Sequence, residues 1–428
     1  MTLPESTVFP PAALRSHQIN GAKPESWSSQ TIASGVTQLT TLFALQRELV
    51  RSSAAWLAGV PYWDAKEQLA RHILADARAA EAVLQRLHEL KASGVEHQQV
   101  AGVQALGHDL ACAPHGDAWL RAHYRVVKPA LIAELTSFLQ RSDPVMDAPT
   151  HDVIRHVRAV WQTQVSWFVE FTPSYSAWEY ADDETANWES RVKAVMALVS
   201  LDAADFYPRD ARLSPGERSA DFEGIARVRR DKTCRLANDT GFPREGATFE
   251  QKRFLVFYNH TQEMQFAESL GEILYETVEM PWAFHLDLAR HLADEVRHAG
   301  MGVERLRQLG VELTEIPMQT QHYKFRTNMS AMERFCLMTL VMEATAFERK
   351  RANVELFESH GDEVSLLYET YDIRDEMLHT NLGHVWVPIL LRVYHDARSV
   401  KALTEHCRGL IAQVITTYPA NAANMVRR

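Results

Sequence analysis

The chain has 428 residues, 46% apolar and 23% charged, with 18 Gly and 17 Pro. That is two or three domains' worth of chain, and it excludes a disordered, collagenous or low-complexity protein. A balance of 45 basic against 55 acidic residues, a formal charge of -10, argues against a nucleic-acid backbone as main partner.

Cys112, Cys234, Cys336 and Cys407 stand singly, with no C-x-x-C pair, so neither a disulfide framework nor a thiolate-bound zinc or iron–sulfur site is readable. Residues 1–30 lack an apolar stretch behind a basic start, and no window reaches about 18 uninterrupted apolar residues. The expectation is a cytoplasmic protein without a membrane span.

In chain order, helices are expected at about 35–60, 62–93, 117–141 and 150–170, with a polar connector over 94–116. One further helix is expected at 187–203, followed by a Pro/Gly/Arg/Asp-rich stretch that includes Arg227, Arg229, Arg230, Lys232 and Arg235, read as a solvated basic cluster. From Phe249 to Glu279 no Pro interrupts a long helix. Pro281 then opens the next, which runs to about Leu309 with Gly310 as its C-cap. Residues 310–329 are long for a link between neighbouring helices and fit a crossover along a bundle. Ser330 and Glu333 form a capping box for a helix reaching Gly361. The next follows at once and is expected to bend or end near Pro388, and a last helix covers about 396–417.

A shift of 219 residues lays Leu69, Ala70, Arg71, His72, Arg78, Ala80, Arg86 and Leu87 on Leu288, Ala289, Arg290, His291, Arg297, Ala299, Arg305 and Leu306. The chain therefore reads as all-α, with two tandem four-helix bundles: 1–171 as the first, 172–248 as a connector with one helix, and 249–428 as the second plus a C-terminal helix.

The chemistry sits in the second half. Glu295-Val296-Arg297-His298 and Glu376-Met377-Leu378-His379 are two E-x-x-H motifs on long helices, and three-residue spacing puts the carboxylate and imidazole of each on one face. Glu263 lies 32 residues before Glu295, and Glu343 lies 33 before Glu376. Glu268 and Glu348 compete for the same two roles. Glu263, however, has Val256, Phe266, Ala267, Leu270 and Leu274 at helical spacing, and Glu343 has Cys336, Leu340, Ala346 and Phe347. Those two point inward, while Glu268 and Glu348 read as solvent-facing salt-bridge partners. Four carboxylates in an apolar core need compensation, which two divalent ions supply. Oxygen and imidazole donors without thiolate suit iron or manganese better than structural zinc.

In these residues the sequence resembles the ferritin-like di-iron carboxylate superfamily, over about 250–392. The resemblance implies Glu263, Glu295, His298, Glu343, Glu376 and His379 as metal ligands and catalytic residues, with Glu295 and Glu376 bridging. It implies Asp294 and Asp375 as acids that orient the ligating histidines, and Arg297 as part of the same pattern. Two Fe ions, or a Mn/Fe pair, are the implied cofactors, with O2 as co-substrate. The implied activity is a non-haem di-iron oxygenase or oxidase acting on a small organic substrate, fed by an external reductase or ferredoxin and compatible with a homodimer. Iron or peroxide handling of the ferritin and rubrerythrin kind, or a scaffold with a structural di-metal site, are the other readings.

The sequence departs from that superfamily in two places. Gly302 stands four residues after His298, where reductase subunits of this superfamily carry a radical tyrosine, and no rubredoxin-type cysteine cluster follows. In the first half, Asp76 falls at the Glu295 position, Ala79 at the His298 position, and no Glu aligns with Glu263, so that half is expected to be metal-free. His291 reads as packing rather than as a seventh ligand or a proton relay. Phe266, Tyr275, Trp282, Phe284, Phe347 and Tyr371 read as core or as walls of a substrate cavity.

Overall fold

The computed structural model describes residues 31–171, 183–197, 199–202, 206–207, 235–236, 246–319, 321–326 and 329–417. Over these residues the protein is all-helical. The strands among them are two-residue pieces: Gln99–Val100 (β1) antiparallel to Phe206–Tyr207 (β2), and Arg235–Leu236 (β3) parallel to Pro317–Met318 (β4). No described helix is long and apolar enough to cross a membrane. Arg227, Arg229, Arg230 and Lys232 of the basic cluster lie outside the described residues.

The N-terminal half starts with α1 (Ile32–Trp56), where Thr31 and Ser34 close a capping box, and α2 (Trp63–Glu89). The stretch expected as a polar connector contains α3 (Ala101–Ala111), whose Val103, Leu106 and Leu110 bury one face. Next come α4 (Gly116–Ala122), a wider π-turn over His123–Val127, α5 (Lys128–Arg141) and α6 (Ala148–Phe171). The helix expected at 187–203 is α7 (Asp183–Met196).

The C-terminal half repeats this order. The expected single helix over 249–279 is broken into α8 (Phe249–Thr261) and α9 (Met264–Glu276), with Glu263 at the joint. The break has a partner: the Gln262 side chain bonds the backbone of the β4 segment, donating to Pro317 O at 3.3 Å and accepting from Gln319 N at 2.9 Å. Helix α10 (Trp282–Gln308) follows, then the crossover with β4 and α11 (Gln321–Arg326). Ser330 and Glu333 cap α12 (Ala331–Cys336), which runs through a π-turn at Leu337–Glu343 into α13 (Ala344–Ser359). Helix α14 (Glu363–Val393) continues through Pro388 instead of ending there, and α15 (Val400–Thr417) closes the chain.

The two halves share a register. The shift of 219 carries Trp63–Glu89 onto Trp282–Gln308 end for end, and a shift of 215 carries the start of α6 onto the start of α14. That same shift of 215 lays the first π-turn over the second. Equivalent helices also face one another, α2 against α10 and α1 against α9, which is a pseudo-two-fold arrangement. Close backbone approach at Gly271 draws the halves together, since a Cβ there would lie 2.1 Å from Ala54 O. Phe43 meets Trp282 edge to face at 5.4 Å across the same seam, and the apolar core runs through both halves.

The seam overturns one expectation. Glu268 does not face solvent: it is fully buried and pairs with Lys66 of α2 at 2.5 Å, because the second face of α9 is covered by the other half. Glu348 is exposed as expected. Of the aromatics, Trp282 and Phe284 are core, whereas Tyr371 is 57% exposed and lines nothing interior.

Candidate metal centre

The buried stripe of α10 is not purely apolar. Leu288, Leu292, Ala299 and Leu306 share it with His291, Glu295 and His298, so the helical repeat that fills the core also drives three donors into it. Helix α14 does the same with Glu369, Asp372, Glu376 and His379. Glu263 arrives from the joint between α8 and α9, and Glu343 from the end of the π-turn, a distortion that frequently accompanies functional side chains.

The structure brings all six expected ligands together. Donor atoms of His291, Glu295, Glu343 and His379 lie within 4.8 Å of one another, as do those of Glu295, His298 and Glu376, so Glu295 is shared between the two groups. Glu263 joins the second group through His298, whose Nδ1 is 3.4 Å from Glu263 Oε2. His291, read from the sequence as packing rather than as a ligand, lies inside the cluster. Its Nε2 is 2.9 Å from Glu343 Oε1 and 3.3 Å from Glu295 Oε1, and its ring stacks on His379 at 3.7 Å.

Each motif histidine turns its outer nitrogen toward the acid of the opposite motif. His298 turns Nε2 toward Asp375 at 3.2 Å, and His379 turns Nε2 toward Asp294 at 3.6 Å. Both rings therefore present Nδ1 to the interior. Arg290 and Arg297 fix Asp294 at 2.6 and 3.0 Å, and Arg297 also bonds Asp375. Such outer partners set tautomer and ring orientation at metal sites.

Four side chains at the cluster were not singled out in the sequence: Lys350, His260, Glu369 and Asp372. Lys350 is buried and bonds Asp372 and, at 2.7 Å, Glu376. His260 bonds Glu369 at 2.6 Å and places Nδ1 3.4 Å from Glu263. Asp372, fully buried, lies 3.4 Å from His298 Nδ1. The available signal was spacing: Glu369 and Asp372 precede Glu376 by seven and four residues, Lys350 follows Glu343 by seven, and His260 precedes Glu263 by three. All are same-face positions.

The electrostatics reflect crowding of negative charge. Burial pushes Glu376 up to about 8, with the charges of Glu343, Asp372 and Glu295 adding to it and Lys350 opposing. Burial disfavours the imidazolium of His379, yet Asp294, Glu295 and Glu343 outweigh it and raise the ring to about 10. His298 is raised against burial by Asp372, Asp375 and Glu263, and the ammonium of Lys350 is held well above its ordinary range by its four carboxylate neighbours.

The donor set fits two divalent cations. Both carboxylate oxygens of Glu295, one each of Glu263, Glu343 and Glu376, and Nδ1 of His298 and His379 are buried with no hydrogen-bond partner among the described residues. Unmade bonds of this kind cost about 1–3 kcal/mol each for neutral groups and more for ions, and bound cations that displace the imidazole protons would satisfy them together. Charge balances too: Glu263, Glu295, Glu343 and Glu376 match two dications, while Asp372 is matched by Lys350.

The equivalent position in the N-terminal half is built differently. Asp76 accepts from Lys128 Nζ at 2.9 Å, Gln164 Nε2 at 2.9 Å and Trp161 Nε1 at 3.2 Å. Under the shift of 215, Lys128, Trp161 and Gln164 stand where Glu343, Glu376 and His379 stand in the C-terminal half. A lysine ammonium thus sits beside the acid in that half.

Residues 184–423 match the family described as "Protein of unknown function (DUF455)", which spans more than half of the chain. The chain belongs to the DUF455 family. The DUF455 match begins at the start of α7 and takes in every residue of the cluster. No curated protein and no solved structure matches the chain.

A cleft of about 220 Å³ reaches the cluster from outside, between α8 and α13. It is lined at depth by His260, Glu263, Lys350 and Glu369 and toward its mouth by Lys252 and Arg349.

Proposed function

We propose that the C-terminal half is a ferritin-like di-iron carboxylate bundle, that the N-terminal half is a degenerate tandem copy without metal, and that the protein is an O2-dependent oxidase or oxygenase. The observation that carries this reading is the set of buried carboxylate oxygens and imidazole Nδ1 atoms, without hydrogen-bond partners, that converge around Glu295. Glu343, His379 and His291 would hold one ion and Glu263, His298 and Glu376 the other, with Glu295 between them. A bound ferrous pair supplies electrons and open coordination positions for activating O2 toward a small organic substrate.

The chain's own residues do the rest. Asp294 and Asp375 hold Nδ1 of His379 and His298 inward, and Arg290 and Arg297 keep those acids ionised and in place. Lys350 neutralises Asp372, so the surplus negative charge left for metal is that of the four glutamates. The cleft between α8 and α13 gives small molecules a path from outside to Glu263.

Metal analysis after anaerobic ferrous loading tests the reading. Wild-type protein is expected to hold two metals per chain, and Glu343→Ala at most one, while oxygen uptake follows ferrous loading in the wild type alone. Under one metal per chain in the wild type, or an unchanged count in the variant, overturns it.

A further inference from the structure

Arg326, the last residue of α11, is 1% exposed. Its guanidinium lies over the Phe266 ring at 4.3 Å, and Nη2 points at Met342 Sδ at 3.1 Å. Nε and Nη1 have no hydrogen-bond partner, and no described carboxylate forms an ion pair with this side chain. Three of its five N–H donors are thus buried and unused.

Burying an unpaired guanidinium is strongly unfavourable, and arginine remains charged in proteins. The carboxylates whose charges act on Arg326 are Glu295 and Glu343, both at the metal cluster. With two dications bound to the four glutamates, that compensation is spent. Other buried cations nearby keep their own partners: Lys66 has Glu268, Lys350 has Asp372, and Arg334 has Glu272 and Glu276. Arg326 is then the buried cation among the described residues left without a counter-charge.

Resting on the di-metal reading, we infer that Arg326 is the anion receptor of the site and that the substrate is a small organic carboxylate, its carboxylate on Nε and Nη1 and its body toward Glu343. The chemistry suits this role. A planar guanidinium offers several N–H donors to a carboxylate, and charge-assisted bonds of this type are about twice as strong as neutral ones. Stacking on Phe266 fixes the plane in advance, so little ordering remains to be done at binding.

The test uses full-length protein with benzoate, hexanoate and phenylacetate as probes, each paired with its neutral amide. Binding is read by calorimetry on iron-loaded and on chelator-treated samples. In the loaded wild type at least one acid is expected to bind ten-fold or more tighter than its amide, and chelation should remove most of that preference. Arg326→Met should abolish the preference while metal content stays at two per chain. Arg326→Lys should retain the anion preference in weaker form. A loaded wild type that prefers no acid over its amide, or a methionine variant that keeps the preference, overturns the assignment. Metal content, measured separately by mass spectrometry, tells the two failures apart: fewer than two ions per chain sinks the di-metal reading, whereas two ions without anion preference sinks only the role of Arg326.

Discussion

Replacing Lys128 by methionine tests whether the N-terminal half replaces metal with its own cation. Lys128 is fully buried and its Nζ is 2.9 Å from Asp76 Oδ2, so the pair attraction is about 6 kcal/mol at an effective dielectric of about 20. Methionine keeps the length of the side chain but strips the charge, leaving Asp76 buried with only the neutral donors Gln164 and Trp161. Breaking one partner of a buried pair costs about 3–5 kcal/mol, whereas replacing both is near neutral. For a half of this size, 4 kcal/mol corresponds to a fall in midpoint temperature of roughly 10–15 °C. Lys128→Met should show that loss in urea and thermal unfolding followed by tryptophan fluorescence, since Trp161 bonds Asp76 directly. Lys128→Met with Asp76→Asn should recover most of it, and added iron should change neither result. A single variant that loses less than about 1 kcal/mol, or a double variant no better than the single, refutes the reasoning.

Three further outcomes follow from the geometry. Asp375→Asn removes the charge behind His298 Nε2 and should weaken metal binding about 10–100-fold with little change in fold, checked by competition with a calibrated chelator. Gly302→Ala should cost about 1–3 kcal/mol in urea unfolding, because its Cβ would lie 2.6 Å from Phe257 O and 2.7 Å from Thr261 N where α8 crosses α10. Burial, with Lys128 and His72 adding to it, holds His123 well below 6.5 in the fold. Below pH 6.5 the unfolded chain therefore binds a proton that the folded one refuses, and stability falls with falling pH. His123→Phe, which keeps a ring on Trp119, should gain on the wild type by up to about 1.4 kcal/mol between pH 6.5 and 5.5, and a gap independent of pH in urea titrations would contradict the assignment.

Much of the helix plan was legible because its signals are local. Ser330 with Glu333 marks a helix start, Pro281 sits just before another, and the E-x-x-H spacing needs only helical geometry to place a carboxylate beside an imidazole. The joint at Glu263 was not legible, since the groups that stabilise it come from β4, more than fifty residues away. Glu268 was misread for the same reason: what covers its face is the other half of the chain, and periodicity within one helix reports only that a face is polar. Lys350, His260 and Asp372 were passed over because a charged residue at helical spacing looks identical whether it meets water or a buried counter-charge. The small residue at Gly302 has a plain structural reason that the sequence did not show: two helix backbones touch there, and no larger side chain has room.

Lys128 has one more consequence, and it concerns biosynthesis. A half whose neutralising charge is encoded in its own chain needs no ion from solution to complete its buried pair. Under the di-metal reading proposed above, its neighbour, with four glutamates to satisfy, would depend on what the cell provides. Because α1 and α2 pack on α9 and α10, that reading makes the self-sufficient half a template on which the metal-dependent one would stay assembled through periods of scarcity.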